Sequence, residues 1–506
     1  MKDLKQKALR GGLVRIFVQA ANFGIRLLSM VVLARLLDPS DFGLLAMVTA
    51  VTGVFGRFRD FGLSSATIQS PTITHEQLST LFWLNMFIAV ILCGLTLASA
   101  PLLVDFYHEP RLQWITVALA AGFLFNGATV QHCALIDREM RYGAKAIIEV
   151  STQVFGTVLG IVMAWQGYGY WALVAMAVVP TVTWMFGVWI VSGWMPGLPR
   201  RNVGVRAMVR FGGTVTLSSI ITYAAYNVDK LLLGRFWGSD ALGFYGRAYQ
   251  LINIPTESLN GAIGGVAFSA LSRLQDDPER FRNYFLKGYA LFLSVTLPIT
   301  ITCGLFAEDV ILVMLGPKWE QAAEIFRLLS PTILVFAIMN PFGWILWARG
   351  QIKRSLHLAL VLAPTTIGAY LIGLPDGPSG VARAYSIAMC SLAIPFILWC
   401  IRGNSISVRD VLRVTSKPLA AGALAAAAGY GGVILLNDAA RWLTSLPYGT
   451  TPWGQFVLNQ WQTALPRLVV ECGILFIVYG IILIFCMGQK AFYWNLWQGL
   501  RGRSGD

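Results

Sequence analysis

The apolar runs of this chain leave it few ways to fold. Fourteen stretches approach the ~20 residues that a helix needs to cross a bilayer. They lie near residues 11–34, 42–58, 80–104, 112–134, 146–165, 169–193, 207–234, 242–270, 285–305, 324–348, 355–373, 380–401, 415–436 and 466–487. Hydrocarbon offers no water to an unpaired N–H or C=O, so only helices and closed barrels span it. Runs this long and continuous lack the alternation of barrel strands and select helices. Hydrophobic residues at 56%, charged residues at 13% and a mean hydropathy of +0.63 exclude an ordinary soluble protein and a disordered one. The expected fold class is an all-α polytopic membrane protein with about fourteen transmembrane helices.

Lys2, Lys5, Lys7 and Arg10 precede the first run, as in a secretory signal. That run is too long for one, contains Arg15, Asn22 and Arg26, and has no small-residue cleavage site at the right distance; it is expected to be a retained helix. Taking the N-terminus, every second loop and the C-terminus as one side places 27 of the 39 basic residues there, against 6 on the other side. Both termini are therefore expected in the cytoplasm. The formal charge of +14 is accounted for by this bias, and no soluble domain exists to bind nucleic acid. The seven cysteines sit singly in apolar runs and are expected as small core residues, and the four histidines are scattered, so neither disulfide nor metal spacing is present.

Residues 218–260 are the least lipid-like part of the chain. Asp229, Lys230, Arg247 and Glu257 lie within spanning runs, each costing roughly 2.5–3.5 kcal/mol at a helix centre in lipid. At helical spacing Ser219, Thr222, Tyr226 and Asp229 share one face, and Arg247, Gln250 and Glu257 another. Such stripes belong in a bundle interior or a hydrated cavity.

The chain also repeats itself at a shift of 200. Val32 to Leu45, VLARLLDPSDFGLL, parallels Leu232 to Tyr245, LLGRFWGSDALGFY, so Arg35 and Gly43 recur as Arg235 and Gly243. Arg15, Gln19, Asn22, Arg26 and Ser29 fall opposite Val215, Ser219, Thr222, Tyr226 and Asp229, again on one helical face. Six helices separate the equivalents, so the halves share an orientation and are related by an axis along the membrane normal. The expected organisation is an N-terminal six-helix bundle at 1–200, a second at 201–410, and two further helices with a short basic tail at 411–506.

Between the bundles the stripes enclose an expected cavity with a cationic excess: Arg15, Arg26, Lys230 and Arg247 against Asp60, Asp229 and Glu257. Arginine suits a phosphate or diphosphate, because its fixed fork donates two hydrogen bonds at once and keeps its proton in a low-dielectric site. The alternative is that Asp229 pairs with Arg247, or Lys230 with Glu257, to hold the hairpin together. Tyr223, Tyr226, Tyr245 and Tyr249 are candidates to stack on sugar rings or line the groove, and Glu149 reads as a solvated face. Enzyme chemistry finds no foothold: there is no phosphate-cradling loop, GxSxG, HExxH or aspartate-rich metal motif. No cofactor is expected.

ARLLDPSDFGLLAM, ALIDREMRYGAKA, NVDKLLLGRFWGSDALGFYGRAYQLINIP and FSALSRLQDDPERFR resemble the polysaccharide transporter family of the multidrug/oligosaccharidyl-lipid/polysaccharide (MOP) exporter superfamily, in particular its Wzx- or WzxC-like lipopolysaccharide and exopolysaccharide flippases. The resemblance covers roughly residues 10–430. It implies a carrier in the bacterial inner membrane that moves undecaprenyl-pyrophosphate-linked sugar units to the periplasmic leaflet by ion-coupled alternating access, alongside a polysaccharide polymerase and other assembly proteins. On that footing Arg15, Arg26 and Arg247 would hold the diphosphate with Lys230 assisting, and Asn22 and Tyr226 would contact the head group. Asp60, Asp229 and Glu257 would serve gating or ion coupling. The alternatives are a drug or organic-cation antiporter of the same superfamily, and a membrane enzyme of glycan assembly.

Overall fold

A computed structural model describes residues 2–59, 63–70, 73–200, 223, 227–445 and 464–487. Every apolar run it covers is helical, as the backbone demands in lipid. In chain order the elements are α1 Lys2–Leu36, α2 Pro39–Gly56, α3 Leu63–Gln69, α4 His75–Tyr107, α5 Leu112–Gly127, α6 Val130–Arg138, α7 Tyr142–Trp165 and α8 Tyr170–Ser192. Then come α9 Val228–Arg273, α10 Pro278–Leu305, α11 Ala307–Met314, α12 Glu320–Leu329, α13 Pro331–Ala348, α14 Ile352–Gly373, α15 Gly377–Ile401, α16 Val408–Ser445 and α17 Ala464–Ile481. Among the described residues ten segments are long and apolar enough to span, one of them, His357–Ile401, embracing two of the expected runs.

The helix ends follow from local chemistry. Thr74 Oγ1 accepts from the Gln77 N–H at 3.2 Å while the Thr74 N–H donates to Gln77 Oε1 at 3.1 Å, a reciprocal cap that starts α4. Proline opens α2 and α10, where its missing N–H costs nothing. Inside the helices Thr52, Thr96 and Thr116 are buried, and each hydroxyl donates to the carbonyl one turn back, so these three are satisfied within their own helices. Two expected runs are broken. The 112–134 run becomes α5 and α6, and the 324–348 run is divided at Ser330, where Pro331 opens α13.

The chain packs as two compact units, residues 1–246 and 247–506, dividing within α9; the expected grouping instead places a boundary at 200/201. In the first unit α7 lies close on α8 because Gly156 faces Pro180 and Gly160 faces Met176, the small-residue contact that brings helices together where lipid supplies no hydrophobic drive. In the second unit an aromatic core forms around Phe281, Phe285, Tyr289, Phe342 and Trp344, with Phe285 stacked on Tyr289 at 5.5 Å.

At the repeated turn two stretches of backbone approach closely. α9 breaks at Gly238, whose φ of 80° only glycine adopts freely, just as α1 and α2 are separated near Asp38. A Cβ at Gly43 would fall 1.8 Å from the carbonyl oxygen of Ser239, and one at Gly243 would fall 2.0 Å from that of Pro39. Pro39 and Ser239 are themselves 200 positions apart. The two turns therefore meet through a contact that reads the same from either side.

On the other unit, Arg282 of α10 forks onto both carboxylate oxygens of Asp410, which also accepts from the Ser407 N–H at 3.0 Å and hydroxyl at 2.8 Å. The guanidinium, then these smaller contributions, hold the Asp410 carboxyl well below the usual carboxylate range. A depressed carboxyl pKa stabilises the fold above its unfolded value, about 3.9, and that contribution drains away as pH falls through the folded value. The detergent-solubilised protein should thus lose thermal stability between about pH 4 and lower values, and Asp410→Asn should flatten that part of the profile. An unchanged profile in Asp410→Asn would mean that the fork is idle.

Candidate transport site

The candidate residues fall in both units. On α1, Asn22 Nδ2 donates to Glu149 Oε1 of α7 at 2.7 Å, and its Oδ1 is buried with no donor among the described residues. Glu149, expected on a solvated face, is half-buried and tied to α1. One turn further along α1, Arg26 is exposed, and the buried Ser29 donates to the Arg26 carbonyl at 2.9 Å. The Arg15 side chain, Asp60 and Tyr226 lie outside the described residues.

Asp229 and Tyr245 are both 0% exposed, and the tyrosine hydroxyl donates to Asp229 Oδ2 at 2.9 Å. They sit on the two limbs of α9 either side of Gly238, so the bond closes the hairpin. Sequence reasoning offered Arg247 as the partner that holds it; the structure supplies a neutral phenol. Tyr245 is thereby committed and buried, which removes it from the aromatic residues expected to meet a sugar. Lys230 Nζ donates to Asn227 Oδ1 at 2.8 Å. Tyr223 donates to the Thr49 carbonyl at 3.0 Å and lies under the Arg57 guanidinium, 4.7 Å from the ring centroid.

In the second unit Arg247 is half-buried and donates to Gln250 Oε1 at 2.5 Å, while Gln250 and Glu257 are exposed. Tyr249 faces Tyr385 with centroids 6.4 Å apart. Of the cysteines, Cys303 and Cys400 are buried as expected, whereas Cys390 is exposed. Among the described residues no group of three or more His, Cys, Asp or Glu is placed to hold a metal ion.

A second charged cluster in this unit was not singled out from sequence. Arg467, at the start of α17, forks onto Asp309 of α11 through Nε to Oδ2 at 2.8 Å and through its second nitrogen to Oδ1. One turn along α17, Glu471 is 3% exposed and stands beside Asp309, its Oε2 buried with no donor among the described residues. Glu471 inside the last apolar run was the available signal, since a buried carboxylate in lipid needs a reason.

A helical membrane chain with two packed units, a repeated turn and charges held inside its spans is the architecture of a transporter. The chain belongs to the Polysaccharide biosynthesis protein family, whose pattern it matches over residues 32–324. It is 27% identical over 377 residues to the lipopolysaccharide biosynthesis protein WzxC of Escherichia coli (strain K12), covering 73% of this chain and 76% of that one. Its fold is that of a lipid II flippase, MurJ, in an inward closed conformation: TM-score 0.72 at 14% identity over 96% of this chain and 100% of that one. An inward-facing multidrug resistance MATE family transporter of the MOP superfamily shares the fold less closely, at TM-score 0.58 and 14% identity over 80% and 98%.

Proposed function

We propose that this multi-pass membrane protein is a flippase that carries undecaprenyl-pyrophosphate-linked oligosaccharide units from the cytoplasmic to the periplasmic leaflet of the bacterial inner membrane. The observation that carries this reading is family membership combined with a fold shared along almost the whole chain with a lipid II flippase. The physics agrees. A diphosphate and its sugars cannot enter hydrocarbon unaided, so a hydrated cationic path must take them while the polyprenyl tail stays in lipid.

In this reading Arg26, with Arg15 and Arg247, binds the diphosphate, and Lys230 assists. Asn22 and Tyr226 contact the head group, while Asp60, Asp229 and Glu257 serve gating or ion coupling. The buried Asp229–Tyr245 bond supports a gating role, because it ties the two limbs of one hairpin. The exposed Arg26 supports ligand contact. The six-plus-six helix grouping, cytoplasmic termini and a partnership with a polysaccharide polymerase belong to the same proposal.

The test is complementation of a null strain with wild type or Arg26→Ala, reading the leaflet that holds the lipid-linked unit. Loss of a charge-assisted hydrogen bond, worth about 1.5–3 kcal/mol, should cut export roughly tenfold or more at normal protein abundance. The unit then accumulates on the cytoplasmic leaflet. If it reaches the periplasmic leaflet but stays unpolymerised in the null strain, the protein is an assembly enzyme and not a flippase. If Arg26→Ala improves efflux of an organic cation, the antiporter takes the flippase's place.

A further inference from the structure

We propose that Asp309 and Glu471 form a proton-binding site in the C-terminal unit, clamped by Arg467 and joining α11 to α17, and that its proton is the ion that drives transport. The proposal deepens the flippase reading and rests on it. Two observations carry it, and both are geometric. The first is the stoichiometry of charge: two buried carboxyl groups, 6% and 3% exposed, face one guanidinium. Both of the Asp309 oxygens are taken by the Arg467 fork. The second is Glu471 itself. Its Oε2 is fully buried and meets no donor among the described residues, and the residue stands one helical turn from Arg467, beside Asp309.

A carboxyl buried without a donor, beside a carboxylate that already holds the one guanidinium, is stable only with a proton on it. Glu471 carries the proton; Asp309 stays ionised and receives the fork. When the proton leaves for water, the Glu471 O–H bond breaks, its electrons stay on the oxygen, and two negative charges face one positive charge in a buried place. Like charges at this distance cannot both remain ionised cheaply. Deprotonation therefore loosens the joint between α11 and α17, and proton uptake restores it. In the proposed orientation the joint lies toward the periplasm, the side from which protons enter a bacterium.

The surroundings leave that charge balance intact. On α11, Glu308 is engaged by Arg327 of α12 at 2.9 Å. On α17, Cys472 follows Glu471 and is half-buried, and Cys303 of α10 is buried. α16 brings Asp438 and Arg441 near its C-terminal end, with side chains outside the described residues.

The experiment uses full-length protein in lipid nanodiscs and infrared difference spectroscopy across a pH titration, with inorganic buffers as the only added solutes. Wild type should show a carboxylic-acid C=O band that vanishes on raising the pH, and Glu471→Gln should lack it. In cells, Glu471→Gln at normal abundance should reduce polysaccharide export roughly tenfold. Asp309→Asn provides a second variant, and it should move the titration of the same band to a different pH. A band that persists unchanged in both variants overturns the site. A band lost in Glu471→Gln with export unchanged overturns the coupling, while the flippase reading stands. Failure of the flippase reading would appear elsewhere, in the leaflet assay of the null strain, with the infrared band still present.

Discussion

Gly43→Ala and Gly243→Ala should each remove most of the folded protein from the membrane. A methyl group at either position meets a backbone carbonyl oxygen at 1.8 or 2.0 Å. A side chain can rotate away from such a clash, but the backbone of a neighbouring turn cannot without unmaking its own helix start. Overpacking in a well-filled interior costs about 1–3 kcal/mol, and a backbone clash belongs at or beyond the upper end. Gly94, in the middle of α4, is the control. A Cβ there meets nothing within 4 Å, so Gly94→Ala should be neutral or stabilising by up to about 1 kcal/mol. Thermal unfolding monitored by size-exclusion fluorescence separates the cases. If Gly43→Ala matches Gly94→Ala, the close approach of the two turns is wrong.

Arg467→Ala should be nearly as damaging, for an electrostatic reason. Removing one partner of a buried ion pair leaves the other charge without compensation, at about 3–5 kcal/mol. Here the abandoned partner is Asp309, whose side chain is only 8% exposed, with Glu471 beside it. Replacing the pair together, as Arg467→Met with Asp309→Leu, should recover most of the stability, because well-packed apolar residues often do as well as a buried ion pair. Arg327→Ala is the comparison. Its partner Glu308 is 67% exposed, and exposed pairs contribute about 0–1 kcal/mol. Equal losses in Arg467→Ala and Arg327→Ala would show that burial adds nothing to the first pair. The double variant should stay folded yet titrate the Glu471 infrared band at a different pH, which separates the pair's structural work from its role in transport.

The helical architecture was legible in the sequence because lipid allows so few alternatives, and long apolar runs with a one-sided distribution of basic residues record that constraint directly. The breaks at residues 128–129 and at Ser330 were missed because apolar length outweighed the short polar signals Asn126-Gly127 and Ser330-Pro331 within each run. Of the site, Asp229 announced itself by its charge, but its partner Tyr245 did not. A tyrosine is unremarkable in a membrane helix, and only the geometry at Gly238 sets it opposite a residue 16 positions earlier. The Asp309–Arg467 pair was further out of reach, because its members are 158 residues apart and each, taken alone, reads as an ordinary charge near a helix end. Arg15, Asp60 and Tyr226 remain as the sequence left them.

The meeting of Gly43 with Ser239, and of Gly243 with Pro39, also bears on ancestry. A contact in which residue i touches the counterpart of j, and j the counterpart of i, is what two identical subunits make across a twofold axis. A half-length forerunner carrying this turn once would have found the complementary surface on a second copy of itself, with no new residues required. Fusing two such copies head to tail keeps that seam and adds a freedom that a homodimer lacks: each side can acquire its own charges. Arg26 and Tyr226, or Ser29 and Asp229, occupy matched positions and no longer resemble each other. The glycines are not free in that way, because each is held by the backbone of the other turn.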